Sequence, residues 1–270
     1  MTPTRSLPAR RLAATLAALA VVGMPALAPT MVGSAGAAPS QQSAVAATPA
    51  AVELAGTENT RTFANYRTTA GRKLNDRVIR SDDLSSLTAA DMKKLASLHV
   101  TSIIDFRTQI ERTIQPEPQV PGATLHNFDV LGAAPVTTLV DLSSAYRTFV
   151  TDAHARSAFR NTLLDIKSTA GKGDAVLYHC SAGKDRTGWA SAVLLTIVGV
   201  DRATVERDFL ASNTFRHASA NDPLNGVNIS WLRSAFAAAD QTFGSFDNYV
   251  HKGLGLTNAD IAGLKKAVLA

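Results

Sequence analysis

Ten consecutive residues, His179-Cys180-Ser181-Ala182-Gly183-Lys184-Asp185-Arg186-Thr187-Gly188, carry the chemistry of this chain and include its single cysteine. A cysteine acts as a nucleophile in its thiolate form, and backbone N–H groups or a helix N-terminus facing it depress its pKa below the free value of about 8.5. A strand, a tight loop and a helix start provide such a place, because free N–H groups and the helix dipole attract an anion to one spot. Five residues after the cysteine, Arg186 offers a planar fork that matches two phosphate oxygens. The pair suits phosphoryl transfer, with Cys180 as nucleophile and Arg186 favouring a transition state whose charge spreads over the equatorial oxygens. Ser181, Ala182, Gly183, Lys184, Asp185 and Arg186 would then line the phosphate. Gly183 and Gly188 allow close backbone approach and unusual φ values. Thr187 suits hydrogen bonding to the thiolate, orientation of water or a simple N-cap. His179 is expected to brace the loop through hydrogen bonds, and Lys184 either adds charge at the mouth or is merely solvated.

The elements that must hold this loop can be read around it. Residues 174–178 are short, apolar and strand-like, and residues 189–200 are apolar nearly throughout, as in a buried helix. Upstream, residues 63–67 and 77–80 read as strands around a turn at Gly71. Thr88 with Asp91 is a capping box opening a helix with Met92, Leu95 and Leu98 on one face. A strand over 101–106 follows, with Asp105, Arg107 and Glu111 at and beyond its C-terminal end, where ligand crevices of α/β sheets form. Three prolines make 115–122 a loop. Residues 124–128 form the next strand, with Asp129 at its end. Helices are expected over 139–149 and 154–166, from Asp201 to about Phe215, over 230–242, near 246–251, and after a second capping box at Thr257 and Asp260. Alternating strands and helices predict an α/β fold with a central, mainly parallel twisted sheet flanked by helices and a helical C-terminal part.

The 270 residues are 46% hydrophobic and 18% charged, values of a globular chain. The net charge of +5 is concentrated at the N-terminus. Residues 1–37 carry Arg5, Arg10 and Arg11 and no acid, and the remainder holds 24 basic against 22 acidic residues. No nucleic-acid or membrane-surface partner is called for. Arg10 and Arg11 precede an apolar run over 12–22, too short to span a bilayer but suited to an export signal. Ala35-Gly36-Ala37 is the preferred cleavage signal, which gives a signal peptide over 1–37, by the general or the twin-arginine route. Residues 38–52 read as a flexible linker and 53–270 as the catalytic domain. The product would be secreted or extracytoplasmic, without a stable membrane span once the signal is removed. A lone cysteine in an exported chain cannot staple it, so the thiol is either inert or reactive. The scattered His99, His126, His154, His217 and His251 lack the paired spacing of metal ligands, and no metal or other cofactor is expected.

The loop resembles that of the protein tyrosine phosphatases, which share a cysteine, five residues, an arginine and then Ser or Thr. The fuller string resembles a bacterial subgroup of tyrosine and dual-specificity phosphatases, some of them secreted. Asn65-Tyr66-Arg67, Arg80-Ser81-Asp82-Asp83-Leu84 and Asp105-Phe106-Arg107 with Glu111 match that subgroup too. The resemblance implies a tyrosine-phosphatase-like fold and metal-independent hydrolysis through a phosphocysteine intermediate. It implies a phosphorylated protein or a phosphoinositide as substrate. It points to Asp129 as the general acid, with Asp185 as the rival, and leaves Asp105 to orient Arg107 or the loop. Thr68-Thr69-Ala70 departs from the subgroup, which usually has Asp, then Leu-Gly, there. That departure leaves open a phosphate-binding module without turnover. Sulfur-transfer enzymes and arsenate reductases also use cysteine–arginine loops, but the latter commonly need further cysteines.

Overall fold

A computed structural model describes residues 47–132, 141–222 and 224–270. The signal peptide expected over 1–37, most of the linker, and the start of the helix expected at 139 lie outside the described residues. The sheet begins with β1 (Ala50–Ala51), which pairs antiparallel with β2 (Arg61–Thr62). Strand β1 therefore falls inside the stretch read as linker, and the ordered chain starts earlier than its composition suggests.

Among the described residues, six strands follow the order β1-β2-β3-β6-β4-β5. Strand β3 (Val78–Ser81) pairs antiparallel with β2 and parallel with β6 (Ala175–His179). On its other side β6 runs parallel to β4 (Val100–Asp105), which is parallel to β5 (Thr124–Asn127). Every residue of β6 is buried, as expected of a central parallel strand with both faces covered.

Side chains alternate between two cores, as the period of a strand requires. Ile79, Ile103, Ala175 and Leu177 join the smaller core, which packs Leu95 of α1 (Ala89–Ser97). Val78, Ile104, Val176 and Tyr178 join the larger core. That core packs α3 (Leu142–Thr151), α4 (Ala153–Gly171), α5 (Arg186–Val198), α6 (Arg202–Phe215), α7 (Ile229–Phe243) and α9 (Asn258–Val268). Helix α5 is buried on almost every side, which explains its lack of a polar face, and it ends at Gly199 in the left-handed region (φ +93°).

Both capping boxes read from the sequence are formed, at Thr88 with Asp91 and at Thr257 with Asp260. A third, Thr108 with Glu111, opens α2 (Gln109–Ile114), a short helix the sequence reading did not expect. Residues 63–67 are not a strand. The Tyr66 N–H donates to the Phe63 carbonyl at 2.9 Å in a tight turn. A strand would send residues three apart to opposite faces; the turn buries both rings, stacked with centroids 6.3 Å apart. Near 246–251 a short α8 (Phe246–Asn248) passes into a π-helical turn, Tyr249–Gly253.

Candidate active site

The register of the parallel strands sets the site. Ser81 and Asp105 both pair with His179, so β3, β6 and β4 end level with one another. Strand alternation sends Cys180 to the side of the larger core and His179 to the opposite side, together with Asp105. The thiol of Cys180 is 2% exposed.

Residues 180–185 then turn into α5, and the outward side of this loop is tied down carbonyl by carbonyl. Ser181 O accepts from the Asp83 N–H at 3.1 Å. Ala182 O accepts from Asn59 Nδ2 at 3.1 Å and Arg216 Nη1 at 3.2 Å. Gly183 O accepts from Arg80 Nη2 at 2.7 Å. Among the described residues no peptide bond is cis, so each following N–H points the opposite way from its carbonyl. The N–H groups of Ala182, Gly183 and Lys184 therefore face the inside of the loop, where an anion would be cradled. Gly183 has φ +64°, and a Cβ there would lie 2.5 Å from the Ser81 carbonyl oxygen, so only glycine fits.

Arg186 begins α5 and is held by a residue outside the loop. Glu111 of α2 takes Arg186 Nη1 at 2.8 Å and Nη2 at 2.6 Å, and accepts the Ser181 hydroxyl at 2.6 Å. The same carboxylate accepts the Thr108 N–H and hydroxyl of its own capping box. Burial would raise the pKa of Glu111, but Arg186, Ser181 and Thr108 together hold it at about 2. The guanidinium is thus gripped end-on, and its Nε is buried with no hydrogen-bond partner among the described residues. A phosphate oxygen could take that donor. Thr187 Oγ1 is likewise buried without a partner among them.

Two buried charge clusters support the loop. Beneath Gly183, Asp208 of α6 pairs with Arg80 at 2.7 Å and with Arg61 at 3.3 Å, and accepts the Tyr66 hydroxyl at 3.2 Å. Burial would raise Asp208, but the two arginines keep its pKa below the usual carboxylate range. Burial, with Arg80 beside it, pulls Arg61 down to about 10. Two guanidiniums against one carboxylate leave positive charge under a loop built for an anion.

On the far side of β6, Arg107 pairs with Asp105 at 2.9 Å and Glu117 at 2.8 Å. Asp105 is thereby engaged with the Arg107 guanidinium. His179 stands 3.4 Å from Glu117 and 4.0 Å from Asp105, and neither ring nitrogen has a hydrogen-bond partner among the described residues. His179 is thereby set against the carboxylates of Glu117 and Asp105 on the far side of β6. Burial opposes its protonation, but the Glu117 and Asp105 carboxylates outweigh burial and raise its pKa. Asp105, Glu117 and His179 place ligand-type atoms within 4.8 Å of one another. The Arg107 guanidinium binds both carboxylates and occupies the place a cation would take.

The two candidate acids lie differently. Asp129 Oδ1 accepts the N–H groups of Leu131 and Gly132 at 2.9 and 3.0 Å, closing a turn after β5. Asp185, within the loop, accepts the Tyr146 hydroxyl on Oδ1 at 3.0 Å and pairs with Lys184 through Oδ2 at 3.0 Å. Lys184 is buried, with Nζ 5.5 Å from the centre of the Trp231 ring, so it is not a solvated lysine. The departing segment at Thr68 sits elsewhere: the Thr69 N–H donates to Gly199 O at the C-terminal end of α5. Thr68 therefore stands at the end of α5 opposite the phosphate loop.

The sequence model of the Tyrosine phosphatase family matches residues 52–270. The chain belongs to that family. This phosphatase is 29% identical over 233 residues to a Cupriavidus necator protein assigned by name to the tyrosine-protein phosphatases, covering 76% of this chain and 84% of that one. It is 27% identical over 275 residues to the triple specificity protein phosphatase PtpB of Mycobacterium tuberculosis, covering 80% and 98%. Among solved structures, P. aeruginosa TpbA matches with 15% identity and a TM-score of 0.38, over 79% of the phosphatase and 99% of TpbA. The supports that sequence reasoning missed are Asn59, Arg61, Glu117, Tyr146, Asp208 and Arg216, together with the grip of Glu111 on Arg186. Of these only Glu111 had a local signal, the Thr108-x-x-Glu111 box.

Proposed function

We propose that this phosphatase hydrolyses phosphotyrosine in proteins through a phosphocysteine intermediate on Cys180, with Asp185 as proton donor. The observation that carries the reading is the loop itself: three outward-tied carbonyls, an inward row of N–H groups, and Arg186 gripped so that Nε stays open. Cys180 Sγ attacks phosphorus, the S–P bond forms, the ester P–O bond breaks, and the leaving oxygen takes a proton from Asp185. Water then attacks phosphorus, gives its proton to Asp185 and releases the thiolate and inorganic phosphate. Asp185 is preferred to Asp129 because it lies within the loop beside Arg186, whereas Asp129 closes a turn after β5.

The test is phosphate release from a phosphotyrosine peptide, a phosphoserine peptide and a phosphoinositide, with Cys180→Ser, Asp185→Asn and Asp129→Asn beside the wild type. The last two substrates enter because one relative is named a triple specificity phosphatase. Cys180→Ser should release none, and Asp185→Asn about a hundredfold less or lower still, from the usual worth of a general acid. Loss in Asp129→Asn alone would return the role to Asp129. Peptide bound by the wild type without release would mark a phosphate-binding module.

Export is part of the same proposal. It rests on Arg10, Arg11, the apolar run over 12–22 and Ala35-Gly36-Ala37. N-terminal sequencing of the protein from culture medium should begin near residue 38, and a protein retaining Met1 would count against it.

A further inference from the structure

We infer that Tyr146 is a positioning residue of the reaction: its hydroxyl fixes which oxygen of Asp185 delivers the proton. The inference rests on Asp185 being the donor. Tyr146 comes from α3, far from the loop in sequence, yet its ring is fully buried and its hydroxyl meets Asp185 Oδ1 at 3.0 Å. The ring cannot swing away. Phe149 lies 5.2 Å from it, Phe209 of α6 packs edge-on at 5.9 Å, and Trp231 of α7 lies at 6.5 Å between centroids. Burial, with Asp185 and Cys180 nearby, pushes the Tyr146 phenol well above its ordinary value, so it stays a donor throughout.

A fixed donor on Oδ1 has a stereochemical consequence. When Asp185 is protonated, a hydroxyl donating to Oδ1 favours that oxygen as the carbonyl, the stronger acceptor, and so favours the proton on Oδ2. Oδ2 is the oxygen paired with Lys184 at 3.0 Å, on the side of the carboxylate that the loop's own cation reaches. Among the described residues, Lys184 and its neighbour Arg186 bring positive charge to Asp185, and Tyr146 supplies an uncharged partner. The inference requires Lys184 to turn from Oδ2 to the bound phosphate, so that Oδ2 faces the leaving oxygen. The proton passes from Oδ2 to that oxygen as the P–O bond breaks, and Oδ2 recovers a proton from the attacking water in the second half.

The test compares kcat/KM on phenyl phosphate, whose leaving group needs a proton, with kcat/KM on dinitrophenyl phosphate, whose leaving group does not. Tyr146→Phe keeps the ring and removes only the hydroxyl. We expect about a tenfold loss on phenyl phosphate and less than twofold on the activated ester, in line with partial loss of general-acid catalysis. Asp185→Asn in the same assay should show the larger selective loss, and the double variant should lose no more than Asp185→Asn alone, since the two groups act as a unit. Equal losses on both esters, or none, in Tyr146→Phe would make the residue structural and overturn the inference. A selective loss absent from Asp185→Asn would instead overturn the assignment of the acid, and the inference with it.

Discussion

At the scale of single residues, Glu111 shows how one carboxylate can serve two structures. It closes the capping box of α2 and holds the guanidinium of Arg186, accepting from five donors in all. Glu111→Gln would turn an amide N–H₂ towards the guanidinium or leave one nitrogen unpaired. Hydrogen bonds to charged groups are worth about 1.5–3 kcal/mol, so kcat/KM should fall on the order of 10- to 100-fold and phosphate should inhibit more weakly. Unchanged kinetics would mean that Arg186 holds its pose unaided. Because its folded pKa is depressed to about 2, Glu111 stabilises the fold at and above the ordinary carboxylate range. That contribution fades as the pH falls from about 4 to about 2. The spacing of Cys180 and Arg186 was legible in the sequence because both lie in one loop. The partners of Arg186 and Asp185 were not, because contacts between residues 39 to 75 positions apart leave no local pattern.

At the scale of elements, the unit of β6, the loop and α5 was legible almost whole. Its strand is uniformly apolar, its helix lacks a polar face, and glycines stand at its turns. The helices bounded by Asp201 and Thr257 were equally clear from their caps. The strand expected over 63–67 failed because aromatic residues suit a strand and a buried tight turn equally well. Gly183→Ala tests the central unit. A methyl group at φ +64° facing a carbonyl oxygen at 2.5 Å must displace either the loop or the end of β3. We expect stability to fall by about 1–3 kcal/mol, read from the denaturation midpoint, and the affinity for vanadate to fall with it. Vanadate bound as tightly as by the wild type would show that the loop does not need this conformation.

At the scale of the whole molecule, Asp208 joins parts distant in sequence. It ties β2 and β3 to α6 through Arg61 and Arg80, and Arg80 continues to the loop at Gly183. Asp208→Asn would leave two buried guanidiniums against no charge, which should cost about 3–5 kcal/mol in urea unfolding. Because its folded pKa lies below the unfolded value of about 4, the wild type should lose stability as the pH drops through and below that value. The variant should lose less of its stability over the same interval. Equal acid sensitivity in the two proteins would place the titrating group elsewhere.

Strand β6 also limits how a chain of this kind can change in length. Its alternation decides that the thiol faces Arg186 while the imidazole faces Arg107 and Glu117. Inserting or deleting one residue within β6 would exchange the two groups, bringing imidazole to the phosphate and sulfur to the buried ion pairs. Gains and losses of residues can therefore accumulate in the connections between elements, but in β6 a single step is forbidden. The span from Ala175 to Cys180 acts as a fixed ruler whose phase is set by the two buried surroundings on either side of the sheet.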